Sequence, residues 1–300
     1  VDERQLEYFV AVAEELSFTR AARKLFVVQS TVSASVRALE KDVGAPLLLR
    51  TSKSVRLSEA GRAFLPEAKA ALAVLGHART LVRDFDDGVR GTLRVGTLSG
   101  LTAVDSPGLA RRFTQLYPQV SLYMETSPSG SAGLLTKVRD ATLDAAFIGT
   151  AAPADATGVE SRSLRTLSLR VLLPPGHRLT DRTSVQLADI AGDPFVDMPV
   201  GFGLRTLVDD EFRRAGLTRT TAVQAADLST IPDFVAAGLG TAVVPDLRRS
   251  AELGLTSIAL DGSTPTWTLS AVVRSGSRLS RATEALLALA PEFVSTEPYY

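Results

Sequence analysis

The sequence predicts a mixed α/β protein in three parts: a small N-terminal helical unit with a β-wing, one long helix, and a larger region of alternating strands and helices. Three observations carry that prediction. Residues 17–61 combine helix-turn-helix spacing with a basic bias, apolar positions from Phe64 to Phe85 repeat as a heptad, and beyond Gly91 strand and helix patterns alternate.

Over the whole chain, 33 Lys and Arg balance 33 Asp and Glu. Between Arg20 and Arg56, however, eight bases (Arg20, Arg23, Lys24, Arg37, Lys41, Arg50, Lys53, Arg56) face two acids, Glu40 and Asp42, a local net charge of +6. That segment attracts a nucleic-acid backbone, and the rest of the chain, at −6, does not. Leu6, Phe9, Val10 and Ala13 recur at helical spacing, so residues 4–15 are expected to form a first helix. Ser17 stands at the N-cap of a short second helix whose apolar face is Ala21, Ala22 and Leu25. After the apolar turn Phe26–Val28, a third helix buries Val32, Val36, Leu39 and Val43 and turns Ser30, Thr31, Ser33, Ala34 and Arg37 outward. Short polar side chains near a helix start, with an Arg one turn on, suit a major groove. Gly44 ends that helix, and the alternation from Leu49 to Leu57 reads as a wing with Lys53 at its tip.

The run ELSFTRAARKL, continued by QSTVSASVRALEKDVGAPLLLRTSKSVRLSEAG, resembles the winged helix-turn-helix of LysR-type transcriptional regulators. The resemblance implies DNA contacts at Gln29, Ser30, Thr31, Ser33 and Ala34 of the recognition helix and at Arg50, Lys53 and Arg56 around the wing. Two positions depart from the family pattern. Val28-Gln29-Ser30 stands where Ser-Gln-Pro is usual, and Ala34 replaces a longer polar or basic residue, which limits readout there to apolar contact such as a thymine methyl.

From Ser58 to Asp87 one long helix is expected, with Phe64, Ala68, Ala71, Leu75, Ala78, Val82 and Phe85 as its seam. Such a stripe either packs on the chain's own core or pairs two chains, and a DNA reader preceding it favours dimerisation. Pro66 should bend this helix, and Asp84, Asp86 and Asp87 read as its solvated end.

Strands at Thr92–Val95, Ser121–Glu125 and Leu143–Ile148 alternate with helices, and the cycle restarts at Leu167–Leu173. This βαβ order implies a parallel sheet covered by helices. Crossovers are expected near Arg162–Thr166 and Pro265–Thr268, with Trp267–Val273 as a returning strand. The pattern resembles the family's effector domain, built like a periplasmic solute-binding protein with a ligand cleft between two lobes. The resulting division is 1–58 (DNA-binding), 59–90 (linker and dimerisation helix) and 91–300 (effector-binding), with lobe I at 91–163 and 268–300 and lobe II at 164–267.

Ligands of open parallel sheets bind beyond the strands' carboxyl ends. That rule selects Leu98, Ser99, Gly100, Thr102, Ser127, Ser129, Ile148, Pro199, Phe202 and Asp227 as effector-binding candidates. Helix starts among them favour an anionic effector, while each hydroxyl taken singly also fits an ordinary helix cap.

No catalytic residues, metal or cofactor are expected. Cysteine is absent and His occurs only at His77 and His177, so neither a Ser-His-Asp arrangement nor a His or Cys metal cluster can be assembled. Val1–Gln5 does not open a secretory signal and no apolar run is long enough to span a membrane, so a cytoplasmic protein is expected. A solute-binding protein or enzyme with the same lobes is opposed by the basic reader, and a structural nucleoid protein by the neutral C-terminal region. The sequence therefore reads as a regulator binding double-stranded DNA and a small-molecule effector, as a homodimer or a homotetramer assembled as a dimer of dimers.

Overall fold

The computed structural model describes residues 1–51, 54–83, 88–101, 103–150, 158–245, 253–261, 266–276 and 278–294. Two compact units make up the chain, one built on residues 1–83 and the other on residues 88–139 and 143–294.

The first unit opens with α1 (Glu3–Glu15), started by a capping box in which Asp2 accepts from the Gln5 amide and the Gln5 side chain returns to Asp2. Ser17 caps α2 (Phe18–Lys24). Helix α3 (Gln29–Val43) begins at Val28, which supplies no side-chain cap, and ends at Gly44, whose φ of 75° suits glycine. Strands β1 (Leu48–Arg50) and β2 (Val55–Leu57) pair antiparallel as the wing. Phe9, Val12, Ala21, Val32, Val36, Leu39 and Leu47 are buried together, so helical spacing in three short segments converges on one core. A buried Phe or Leu contributes about 1.5–3 kcal/mol here.

Ser58 ties the wing to α4 (Glu59–Arg83): its hydroxyl donates to the Pro46 carbonyl at 2.6 Å and accepts from the Gly61 amide at 2.9 Å. The expected heptad seam divides in two. Phe64 meets Phe9 with ring centroids 5.5 Å apart and Ala68 is buried, so the first turns pack on the unit's own core. Ala71, Leu75 and Ala78 are exposed, as is Val74 beside them, while Phe85 lies outside the described residues. Lys69 of α4 bonds Glu14 of α1 at 2.8 Å and holds that carboxyl below the usual carboxylate range.

The second unit begins β3 (Gly91–Thr97), α5 (Ser106–Leu116), β4 (Val120–Thr126), α6 (Gly130–Arg139) and β5 (Ala145–Thr150). It continues β6 (Val159–Leu173), β7 (Ser184–Val185), α7 (Leu187–Ile190), β8 (Pro194–Asp197), α8 (Gly203–Arg214), β9 (Thr220–Gln224) and α9 (Ile231–Ala236). Strands β10 (Ala242–Pro245), β11 (Thr256–Leu260) and β12 (Thr266–Arg274) and helix α10 (Arg281–Leu289) complete it. The main sheet runs β4-β3-β5-β12-β6-β11-β7, with β10 also on β6, and β8 pairs β9 separately.

Only part of this matches an all-parallel expectation. Strand β3 is parallel to β4 and β5, but β12 is antiparallel to both β5 and β6. The expected crossover 162–166 is a stretch of β6, and residues 266–268 of the other belong to β12, Pro265 lying outside the described residues. β6 is 15 residues long, pairing with β12 through its first part and with β10 and β11 through its last, so the backbone passes between lobes without leaving the sheet. Hydrogen-bonded strands are a stiffer link than loops.

A buried ion network sets the end of β8. Arg219 and Asp197, only 5% and 6% exposed, form a two-pronged pair with both N···O distances 3.0 Å, and Arg219 also reaches Asp209 of α8 at 2.7 Å. Thr221 donates to Asp197 at 2.7 Å, and Arg205 joins Asp209 to the Met198 carbonyl. The Arg219 guanidinium lies 4.9 Å from the Phe212 ring centroid. Every charge is thus met, which a buried pair requires to offset its desolvation. Arg219→Ala leaves Asp197 buried beside fewer cations and should destabilise the second unit by about 3–5 kcal/mol. Urea unfolding checks this; a loss below about 1 kcal/mol would mean that the network is not structural.

Candidate functional site

The recognition face is built on α3. Gln29, Ser30, Thr31, Ala34 and Arg37 are exposed, because burying Val32, Val36 and Leu39 turns the opposite side of the helix outward. Arg56 is exposed on β2, and Lys53 lies outside the described residues.

Ser33 differs from the expectation, and the exposed Arg50 is bonded to it. Ser33 is buried, and its hydroxyl oxygen accepts from Arg37 at 3.2 Å and from Arg50 at 3.3 Å. Arg50 also donates to Glu40 at 3.0 Å and stacks 4.5 Å from the centroid of the Phe18 ring. The other Glu40 oxygen accepts from the Leu47 and Leu48 amides at 2.9 and 3.0 Å. Ser33 therefore joins the wing to α3 rather than pointing outward, and Arg50 bridges the two from an exposed position. Reading Ser33 as outward failed because it sits at the margin of the helix's buried face, where a cross-strand Arg reaches it.

Sequence reasoning left Phe26 and Val28 as a plain apolar turn, yet they are 96% and 67% exposed beside the start of α3. Their signal was an apolar pair with no helical or strand period to bury it.

In the second unit, the strand ends meet across a nearly closed cleft. Leu98, Ser99, Leu101, Met198, Phe202, Leu204, Leu228 and Trp267 enclose a cavity of about 20 Å³ with Ser131, Gly149 and Gly203. That is room for about one water. The walls touch where glycines remove a side chain. A Cβ on Gly100 would lie 1.8 Å from Asp227 Oδ1, one on Gly130 would lie 2.7 Å from the Phe202 ring, and one on Gly203 would lie 1.9 Å from the Gly149 carbonyl oxygen. Asp227 accepts from the Ser229 amide and hydroxyl at 2.9 and 2.6 Å, which orients its carboxylate at the mouth. Helix α8 opens onto this cavity with Phe202 at its N-cap, which provides no side-chain hydrogen bond. The hydroxyls of Thr97 and Thr150, at the ends of β3 and β5, are buried and have no hydrogen-bond partner among the described residues.

Of the expected effector residues, Leu98, Ser99 and Phe202 line the cavity, and Gly100 meets Asp227 beside it. The others are placed differently. Ser127 is buried and accepts from the Ser129 amide at 3.3 Å, Ser129 is exposed, and Pro199 sits in the turn that receives the Phe202 amide. Ile148 points into a core with Leu134, Val138 and Val272, because alternation along β5 sends it away from the cleft. Thr102 lies outside the described residues. Ser131 and Trp267 went unrecognised: each lies on a regular element, where periodicity reports burial but not which cavity burial creates.

His177 is held by Asp193 at 3.1 Å in a surface turn of the second unit. Among the described residues no group of His, Cys, Asp and Glu could hold a metal ion, and no helix is long and apolar enough to cross a membrane.

Comparison with known proteins agrees with this geometry. Residues 3–62 match the bacterial regulatory helix-turn-helix proteins of the lysR family, and residues 86–294 match the LysR substrate binding domain. The transcriptional regulator YnfL of Escherichia coli is 33% identical over 260 residues, covering 84% of this chain and 85% of that protein, and YybE of Bacillus subtilis is 30% identical over 254 residues, covering 85% and 86%. Full-length OxyR from Pseudomonas aeruginosa superposes with a TM-score of 0.69 at 26% identity over 97% of both chains. CbnR in complex with its target DNA shares the fold, at a TM-score of 0.64 and 23% identity over 98% of this chain and 99% of its own. With a DNA-reading domain and an effector domain both matched, and relatives aligned along most of its length, the chain belongs to the LysR family of transcriptional regulators.

Proposed function

We propose that this regulator reads its operator through Gln29, Ser30, Thr31, Ala34 and Arg37, with Arg56 and Lys53 on the backbone beside the wing. The observation supporting this reading is the shared exposure of Gln29, Ser30, Thr31, Ala34, Arg37 and Arg56 on α3 and β2, against the buried Ser33. Domain limits of 1–58, 59–90 and 91–300, and a cytoplasmic setting, belong to the same reading. Thr31→Ala should change the preference between matched and scrambled duplexes, whereas Arg56→Ala should weaken both alike, because phosphate contacts position without specifying. Arg50→Ala should in addition lower the melting temperature, since it removes bonds to Glu40 and Ser33. Fluorescence anisotropy beside thermal unfolding separates the three; an Arg50→Ala variant of normal stability and weakened binding would return that residue to the DNA surface.

The exposed half of α4, with Val74 and Leu75, is the surface we assign to pairing two chains, and an apolar stripe on a solvent-facing helix supports that assignment. Leu75→Glu would place like charges across such a seam. Sedimentation should show dissociation at micromolar concentration, and a variant that stays dimeric would move the interface elsewhere.

The effector occupies the cleft between Leu98–Leu101 and Met198–Leu204, which widens to admit it while the Gly100–Asp227 contact beside the cavity stays closed. An anionic group on that effector is supported by the α8 N-terminus, which lacks a side-chain cap, and the unpartnered Thr97 and Thr150 hydroxyls add polar groups at the strand ends. Closure around the ligand turns binding into a signal only if the closed state binds it more tightly. Gly100→Ala pushes a methyl group against Asp227 and so opposes closure. In thermal-shift titrations with small mono- and dicarboxylates, a compound that stabilises the parent protein should bind Gly100→Ala at least about tenfold more weakly, the equivalent of about 1.4 kcal/mol. Equal stabilisation of both proteins would place the effector elsewhere, and equal stabilisation by the matching amides would remove the requirement for charge.

A further inference from the structure

Phe26 occupies a position that the fold does not ask to be aromatic. Helix α2 ends in a Schellman arrangement, in which the Val27 amide donates to the Ala22 carbonyl at 3.0 Å and the Phe26 amide to the Arg23 carbonyl at 3.2 Å. The residue at the turn must then be left-handed, and Phe26 has φ of 56°. Glycine suits such a site, because a side chain there crowds the backbone. The ring recovers nothing by packing, since it is 96% exposed. Two residues on, Val28 stands at the N-cap of α3, where a short polar side chain would bond a helix amide; it makes no such bond and is 67% exposed. Local stability is thus sacrificed twice in three residues, each time for exposed apolar surface.

Both residues adjoin the exposed Gln29, Ser30 and Thr31, and Ala34 carries the same apolar character one turn further along the helix. Apolar side chains in a major groove have one base-specific partner, the C5-methyl group of thymine. We propose that Phe26 and Val28 are DNA-contacting residues that, with Ala34, extend the polar recognition face by an apolar edge reading thymine methyl groups. The occupant of this patch is therefore operator DNA, continuous with the surface α3 presents. The inference rests on the placement of α3 against DNA, which Thr31→Ala tests separately.

The test uses the full-length protein and duplexes recovered by its selection from random-sequence DNA. Each thymine of a selected half-site is replaced in turn by deoxyuridine, which removes the methyl group and leaves base pairing intact. At one or more positions the parent protein should bind the deoxyuridine duplex about fourfold more weakly, the equivalent of about 0.8 kcal/mol for one buried methyl. Phe26→Gly and Val28→Ser should abolish that difference at one position or more, leaving any that faces Ala34, while raising the melting temperature, because they supply the residue types that the turn and the cap favour. A merely structural Phe26 would give the opposite sign in stability. Thymine and deoxyuridine duplexes bound alike by the parent, or a discrimination that survives both substitutions at every position, would overturn the proposal. So would variants that keep parental binding to every duplex yet lose promoter activation in transcription with RNA polymerase, which would assign the patch to a protein.

Discussion

The DNA-reading unit depends on one carboxylate. Glu40, on the last turns of α3, accepts two amides at the start of β1 with one oxygen and the Arg50 guanidinium with the other. Without it, a two-stranded wing of three residues per strand would rest on the burial of Leu47 and Leu48 and the bonds of Ser58, since an isolated hairpin is marginal in water. Arg50 relays the constraint to Ser33 in the middle of α3 and to the Phe18 ring on α2. Recognition helix, wing and second helix are therefore set against one another by hydrogen bonds to charged groups, the stronger kind. Side chains left for DNA are those on the exposed face of α3, of which only Arg37 also bonds into this network, through Ser33.

The effector unit follows a different logic, in which close approach rather than charge sets the geometry. Backbone meets backbone at Gly149 and Gly203, a ring covers Gly130, and a carboxylate faces Gly100. Contacts of that kind leave a cavity of about 20 Å³ and make the closed state intolerant of even a methyl group. The Arg219 network joins the end of β8 to α8, while β6 runs continuously from its pairing with β12 to its pairing with β10 and β11. A firm frame around a cleft closed by a few contacts is what a ligand with differential affinity for two states can use.

Most elements were legible because each advertises itself over several residues. Apolar spacing located α1, α3 and α4, and the caps Ser17 and Ser58 and the terminator Gly44 lie where turn chemistry places them. Charge separated the reader from the remainder. The heptad from Phe64 was visible too, but its division into a packed half and an exposed half was not, since period alone does not say which apolar face finds a partner within its own chain.

Sequence by itself determined the periodic elements, the local charge and the family motif, all of which are properties of neighbours along the chain. Tertiary structure decided the rest through contacts between distant residues. Ser33 became an acceptor for Arg50 from 17 positions away, and β12 inserted between β5 and β6 as an antiparallel strand. Asp227 came to face Gly100 across the cleft, and Ile148, one residue before the cavity-lining Gly149, turned into a separate core. A strand reverses face at every residue, so which side becomes cleft depends on what packs against it, and that is a fact of three dimensions.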